Sequence, residues 1–256
     1  MSFNVNDKGC PIVIIKDKGN EYNGTKIYIS DSIKDDNKLN KGFDKLQLKT
    51  GQFQIIPNTK KERDVGLICG ASGSGKSYFI KQYIKEYKKT FKKNNIYMFS
   101  NLDYDETLDD DLKIDRVKID EELLTDPLSV EDFENSLVIF DDIDVIRQKE
   151  LKNAVYQIMD EILETGRHLR VSCLMTVHYP TGNQLKRILN ECMFYVYFPW
   201  GATRANNYVL ENYLGVDKLD IKKIKATKSR WAVIFKNYPQ AVITEKAIWM
   251  LANNED

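Results

Sequence analysis

The stretch GASGSGKS, Gly70 to Ser77, lies between DVGLIC (Asp64–Cys69) and YFIKQYIKEY (Tyr78–Tyr87). It fits G-x-x-x-x-G-K-S at every required position, and its setting is a continuous apolar run followed by an amphipathic one. Glycines let the backbone curl until successive N–H groups face the oxygens of a phosphate. The segment Gly70, Ala71, Ser72, Gly73, Ser74, Gly75, Lys76, Ser77 and Tyr78 is therefore the expected grip on a nucleoside triphosphate, ATP. Lys76 would neutralise the β- and γ-phosphates, the Ser77 hydroxyl would ligate Mg²⁺, and the helix that starts there adds the positive end of its dipole.

Outward from this stretch, strand and helix patterns alternate, as in a parallel α/β sheet. VGLIC, NIYMFS (Asn95–Ser100) and SLVIFDD (Ser136–Asp142) read as buried strands, and DRVKI (Asp115–Ile119) as a short one. Ile80, Ile84, Tyr87 and Phe91 recur at helical spacing, as do Leu151, Val155, Ile158 and Ile162, whose helix should stop at Gly166. RVSCLMTVH (Arg170–His178) and ECMFYVYF (Glu191–Phe198) add two strands, with a short helix around Gln184–Leu189 between them. A basic helical stretch near Ala205–Lys228 precedes RWAVIFKN and QAVITE, which read as a closing antiparallel pair. Residues 1–62 read instead as short strands joined by turns. PIVIIK and TKIYIS flank the turn-forming DKGNEYNG, the polar stretch from Ser30 to Lys41 reads as a loop, and a tight turn falls around Thr50-Gly51. The expectation is a β-rich N-terminal segment, 1–62, and a P-loop ATPase domain, 63–256.

Bulk composition narrows the function classes. Lys+Arg and Asp+Glu balance at 38 each in 256 residues, so no global field draws the chain to nucleic acid or membrane. No apolar run is long enough to span a bilayer, and MSFNVNDKGC has neither region of a signal peptide. The four cysteines, Cys10, Cys69, Cys173 and Cys192, form no C-x-x-C pair and no ligand spacing with the two histidines. Three of them lie in apolar runs, where thiols read as small core side chains, and a reducing compartment follows.

Asp141 emerges at the end of LVIFDD, where ligands gather in open α/β sheets, and would hold the Mg²⁺ through water. Asp142 follows and is placed to polarise an attacking water; capping the next helix is its alternative role. Thr176 and His178 alternate onto one side of the next strand, a polar pair suited to sensing the γ-phosphate, with a core or capping role open for His178. Arg167 follows Gly166 near the start of that strand. A strand from Val171 to His178 spans roughly 25 Å, so Arg167 is badly placed for its own nucleotide and well placed for a neighbour's. The alternative is a surface arginine paired with Glu164 or a carbonyl; Arg147, Arg170, Arg187 and Arg204 are other candidates.

The combination GASGSGKS, LVIFDD, then GRH (Gly166–His168) and an apolar strand ending TVH (Thr176–His178) resembles the poxvirus-type DNA-packaging ATPases of large eukaryotic DNA viruses, within the FtsK–HerA superfamily. The likeness covers about Val65 to Phe198, more loosely to Thr244. It implies an ASCE, RecA-like core with a central, mostly parallel sheet flanked by helices. It also implies a ring-shaped homo-oligomer, pentamer or hexamer, that drives double-stranded DNA into a preformed capsid. Capsid or portal-vertex proteins would be partners, and the host cytoplasm (viral factory), with the virion, the location. Position by position it implies phosphate and Mg²⁺ binding at Lys76 and Ser77, metal binding at Asp141, the catalytic acid at Asp142, a sensor at His178 and a finger given in trans at Arg167. The wider superfamily usually carries Glu where Asp142 stands. DNA contact is open between the run Lys222, Lys223, Lys225, Lys228, Arg230 and the helix face Lys85, Lys88, Lys89, Lys92, Lys93, although a charge run of this kind is usually a solvated face. Acidic DYDETLDDD (Asp103–Asp111) reads as a solvated loop. A small-molecule kinase would need an arginine-rich lid that the chain does not show, and a nucleotide-dependent scaffold would not need two acids.

Overall fold

The computed structural model describes residues 2–30, 42–182 and 185–251; the loop expected from Ser30 to Lys41 lies, beyond Ser30, outside them. The chain folds as two units, Met1–Lys60 with Phe194–Asp256, and Lys61–Met193. This division differs from 1–62 and 63–256 at its C-terminal end, for a reason that the strand pairing supplies.

The first unit begins with β1 (Ser2–Asn4), β2 (Cys10–Lys16), β3 (Lys26–Ser30), β4 (Lys45–Gln47) and β5 (Gln52–Ile55). Four of these form an antiparallel sheet in the order β1-β3-β2-β5. Its β2–β3 hairpin turns through DKGNEYNG, where the Asp17 N–H donates to Asn23 Oδ1 at 2.9 Å. The chain also turns at Gly51, with φ 68° and no room for a Cβ, which would sit 2.6 Å from the Lys16 carbonyl oxygen. The strands on either side of that turn do not pair with each other, because β5 pairs with β2.

The second unit supplies β6 (Val65–Cys69), α1 (Lys76–Thr90), β7 (Asn95–Ser100), α2 (Glu106–Asp109), β8 (Asp115–Val117), α3 (Glu122–Thr125), β9 (Ser136–Asp141), α4 (Lys149–Thr165), β10 (Ser172–Val177) and α5 (Leu185–Glu191). Its strands run parallel in the order β6-β10-β9-β7-β8. Every residue of β6, β9 and β10 is buried, which is why these strands are near-continuous apolar runs rather than alternating ones. Helix α1 buries Phe79, Ile80, Tyr83, Ile84 and Tyr87, and α4 buries Leu151, Val155, Ile158, Met159, Ile162 and Leu163, each along one stripe. The expected α/β class and central parallel sheet are present.

The chain then returns to the first unit with β11 (Phe194–Tyr197), α6 (Arg204–Asn212), α7 (Lys218–Ala226), β12 (Ala232–Phe235), β13 (Ala241–Thr244) and β14 (Ala247–Met250). These strands pair antiparallel in the order β4-β14-β13-β12-β11. β12 and β13 are the anticipated closing pair. β14, which the sequence pattern did not show, takes β4 as its partner, and the Phe53 N–H donates to the Glu245 carbonyl at 2.8 Å. Those contacts tie residues 194–256 to the N-terminal sixty.

Gly166 does cap α4, but with φ −60°, so left-handed backbone is not what selects glycine there. A Cβ would lie 2.5 Å from the Ile162 carbonyl oxygen and 3.2 Å from Arg63 Nη1. The buried Arg63 guanidinium occupies that space, donating to the carbonyls of Ile162 and, at 2.6 Å, Leu163. It satisfies acceptors that the end of a helix leaves open. Hydrogen bonds from a charged group are worth about 1.5–3 kcal/mol each. Arg63→Ala is expected to lower unfolding stability by about 2–4 kcal/mol, read as a lower urea midpoint, with Arg63→Lys recovering only part.

Candidate nucleotide-binding site

Gly70 to Ser77 connect the end of β6 to the start of α1. Gly73 and Gly75 adopt φ 74° and 106°, left-handed backbone that other residues rarely accept. The loop is pinned at its base, where the Gly70 N–H donates to the Val177 carbonyl at 3.0 Å. Helix α1 has no side-chain N-cap and no acid in its first turn, so its positive end is left to an incoming anion. The Ser74 hydroxyl is buried without a hydrogen-bond partner among the described residues, an orphaned group that a phosphate oxygen would satisfy. Ala71, Ser72 and Gly73 are exposed, Ser77 is half-buried and Tyr78 is exposed.

The acids come from the strand next but one. In the parallel register Met175 lies beside Phe140, and β10 separates β9 from β6, so the ends of all three strands fall together. Thr176 Oγ1 is 2.8 Å from Asp141 Oδ1 and 3.0 Å from Asp142 Oδ1, while it accepts the Asp142 N–H at 2.8 Å. One hydroxyl thus holds both carboxylates and the backbone between them. Asp142 takes φ 47°, which turns its side chain back toward the loop. Its Oδ2 meets Lys76 Nζ at 3.3 Å and His178 Nε2 at 3.1 Å. Lys76 also donates to the Gly70 carbonyl at 3.0 Å and lies 3.5 Å from His178 Nδ1.

Asp141 is buried, and burial raises its carboxyl above the usual range; the Thr176 hydroxyl opposes that shift and the Asp142 charge adds to it. Asp144, two residues beyond Asp142, is raised for the same first reason, and its buried Oδ1 has no hydrogen-bond partner among the described residues. Sequence reading passed over Asp144, since nothing in its neighbourhood marks it. Ser100, at the end of β7, reaches Asp141 Oδ2 at 3.5 Å. No group of three or more His, Cys, Asp or Glu among the described residues would hold a metal ion alone. A half-buried serine hydroxyl and one carboxylate instead suit Mg²⁺, a hard ion usually bound by one or two protein oxygens plus phosphates.

Lys76, Ser77, Asp141, Asp142 and His178 are thus gathered at one end of the parallel strands. Arg167 is not among them. It sits beyond the C-terminus of α4, where the chain re-enters the sheet at the start of β10, and its 64% exposed side chain pairs with Glu62 at 3.1 and 3.3 Å. Glu164, its anticipated partner, pairs with Arg187 instead. Arg147, Arg170 and Arg204 are exposed. On α1, Lys85 reaches Asp111, Lys88 the Asn94 carbonyl and Lys89 Glu86. Within Asp103–Asp111 the expected loop contains α2, capped by Asp105.

A family model described as an AAA domain matches residues 62–177. An uncharacterized protein, V3, of Sputnik virophage is 38% identical over 249 residues, 96% of this chain and 97% of that one. Among solved structures, B204, the DNA-packaging ATPase from Sulfolobus turreted icosahedral virus, superposes with a TM-score of 0.50 at 18% identity, covering 73% of this chain and 98% of that one. The cytoplasmic domain of the Thermomonospora curvata type VII secretion ATPase EccC gives 0.50 at 15% identity, covering 82% of this chain and 28% of that one. The chain belongs to the family of the virophage V3 protein, and its fold is that of the P-loop ATPases.

The raised Asp141 carboxyl has a consequence for stability. As pH rises, the unfolded chain releases this proton before the folded one does, so ionisation of Asp141 opposes folding at neutral pH. Asp141→Asn is expected to raise the melting temperature of the nucleotide-free protein at pH 7. The gap to wild type should close as pH falls to the ordinary carboxyl value of 3.8. A variant that melts lower at pH 7 would contradict this.

Proposed function

We propose that this member of the V3 family is a genome-packaging ATPase: a motor that hydrolyses ATP and moves double-stranded DNA into a preformed capsid. The observation that carries the reading is the cluster of Lys76, Asp142, His178 and Thr176 beneath a glycine-rich loop, with Arg167 at the opposite end of the same strands. The kinship with a virophage protein supports a viral setting, and the fold shared with B204, named as a DNA-packaging ATPase, supports the substrate.

In this reading the loop amides and Lys76 bind the β- and γ-phosphates. Ser77 and Asp141 would hold Mg²⁺, which would neutralise phosphate charge. Asp142 exchanges its ion pair with Lys76 for a water and orients it toward the γ-phosphate; its short side chain makes backbone placement, set through Thr176, decisive. His178 senses the phosphate from the neighbouring strand. Arg167 gives up Glu62, an exposed pair of small worth, and reaches the nucleotide of a neighbouring subunit in a ring of five or six. An arginine supplied in this way adds about 10³–10⁵ in rate. Capsid or portal-vertex proteins are the proposed partners of the ring, in the host cytoplasm and in the virion; no described helix is long and apolar enough to cross a membrane.

Lys76→Ala is expected to abolish hydrolysis, and Asp142→Asn to retain ATP binding while cleavage stops, measured by equilibrium nucleotide binding beside phosphate release. Doping wild type with Arg167→Ala subunits should lower total activity more steeply than dilution. A strictly proportional fall would contradict coupling between neighbouring sites, and no fall at all would show that Arg167 serves no catalytic site.

A further inference from the structure

Charge is balanced over the whole chain but not along it. Residues 199–238 carry eight Lys and Arg against three Asp and Glu, whereas residues 103–134 carry three against fourteen. The basic stretch belongs to the first unit and contains α6 and α7. On α7, Lys218, Lys222 and Lys225 stand at i, i+4 and i+7, one stripe beside the buried Ile221 and Ile224. All three are exposed and lack an acidic partner among the described residues. By contrast Lys223 lies 4.4 Å over the Trp249 ring, and Arg230 pairs with Glu245.

Exposed apolar side chains belong to the same stretch. α7 packs against α6 and against the turn Pro199–Gly201. Leu219 on α7 is 74% exposed, Trp200 on the turn 71%, and Tyr208 on α6 and Tyr213 just after it are exposed as well. A merely solvated face needs the lysines but not a naked tryptophan and leucine. Large apolar anchors within a charged surround are instead the composition of a protein interface. Tryptophan is among the side chains that most often dominate binding energy there.

We infer that the α6–α7 face docks a second copy of this chain, against the acidic surface carried by residues 103–134. That surface is the complement on both counts. Glu121, Glu122 and Asp126 are exposed without a cationic partner among the described residues, Leu124 is exposed in the same short helix, and Tyr104, with Leu102 just before the segment, is exposed as well. A nucleic-acid backbone would engage the lysines but offer little to Leu219 and Trp200. Two different patches in contact make a head-to-tail interface, which leaves one patch of each kind free for the next subunit. Such a contact gives the proposed ring its repeat, yet it stands on surface chemistry alone and needs neither ATP nor DNA.

The test is sedimentation of the full chain across protein concentration and salt. Wild type is expected to associate at low salt and dissociate as salt screens the charges. Lys218→Glu with Lys222→Glu and Lys225→Glu should weaken association by about tenfold or more, as should Glu121→Lys with Glu122→Lys and Asp126→Lys. Mixing the two variants should restore association, because each then meets a complementary face; misfolded variants would not do so. Wild-type association that neither set weakens would overturn this contact and leave assembly standing. A wild type that is monomeric under all conditions would overturn both. If the lysine set abolishes binding to duplex DNA and leaves association unchanged, the face belongs to nucleic acid and the inference falls.

Discussion

Two carboxylates on consecutive residues, one of them buried, must share a small space at the end of a hydrophobic sheet. Like charges so placed repel, and burial removes the water that would soften the repulsion. The protein answers with one hydroxyl, one ammonium and one imidazole: Thr176 between the two acids, Lys76 and His178 on Asp142. That answer works only if β10 lies between β6 and β9 in parallel, in the register that brings Thr176 to Asp141. The fully buried, near-continuous apolar strands are therefore a condition of the site as well as of the core.

The opposite end of the same strands holds two arginines with different physics. Arg63 is buried and gives its protons to carbonyls at the end of α4, so it is fixed where it stands. Arg167 is exposed, held among the described residues by Glu62, and an exposed ion pair is easily exchanged. One guanidinium closes a helix. The other keeps its charge available, as the proposed role in trans would require.

Much of the second unit was legible because its signals are local. Apolar runs, helical spacing and GASGSGKS each declare themselves within about fifteen residues, and LVIFDD points to its own strand end. What escaped depends on distant partners. β14 follows β13 through the two-residue turn Glu245-Lys246, which has none of the Gly or Asn that usually marks one. Its pairing with β4 joins segments some two hundred residues apart, and so moves 194–256 into the other unit. Arg63 reads as a charged residue before a strand until Ile162 and Leu163 come beside it. Thr176 was visible as a partner of His178, but its grip on both acids needed the register. Gly166 stood where the helix was expected to end, though the close approach of the Ile162 carbonyl, with Arg63 behind it, and not left-handed backbone, accounts for the glycine.

In the proposed function, a phosphate grip at one end of the sheet and a loosely held arginine at the other would make each chain half of a catalytic arrangement, so hydrolysis should depend on company. The most direct measurement is the steady-state ATPase rate per subunit as protein concentration crosses the assembly range, with and without duplex DNA. The account predicts a rate that rises with concentration and rises further when duplex DNA is added. A rate per subunit that is constant at every concentration and indifferent to DNA would contradict it.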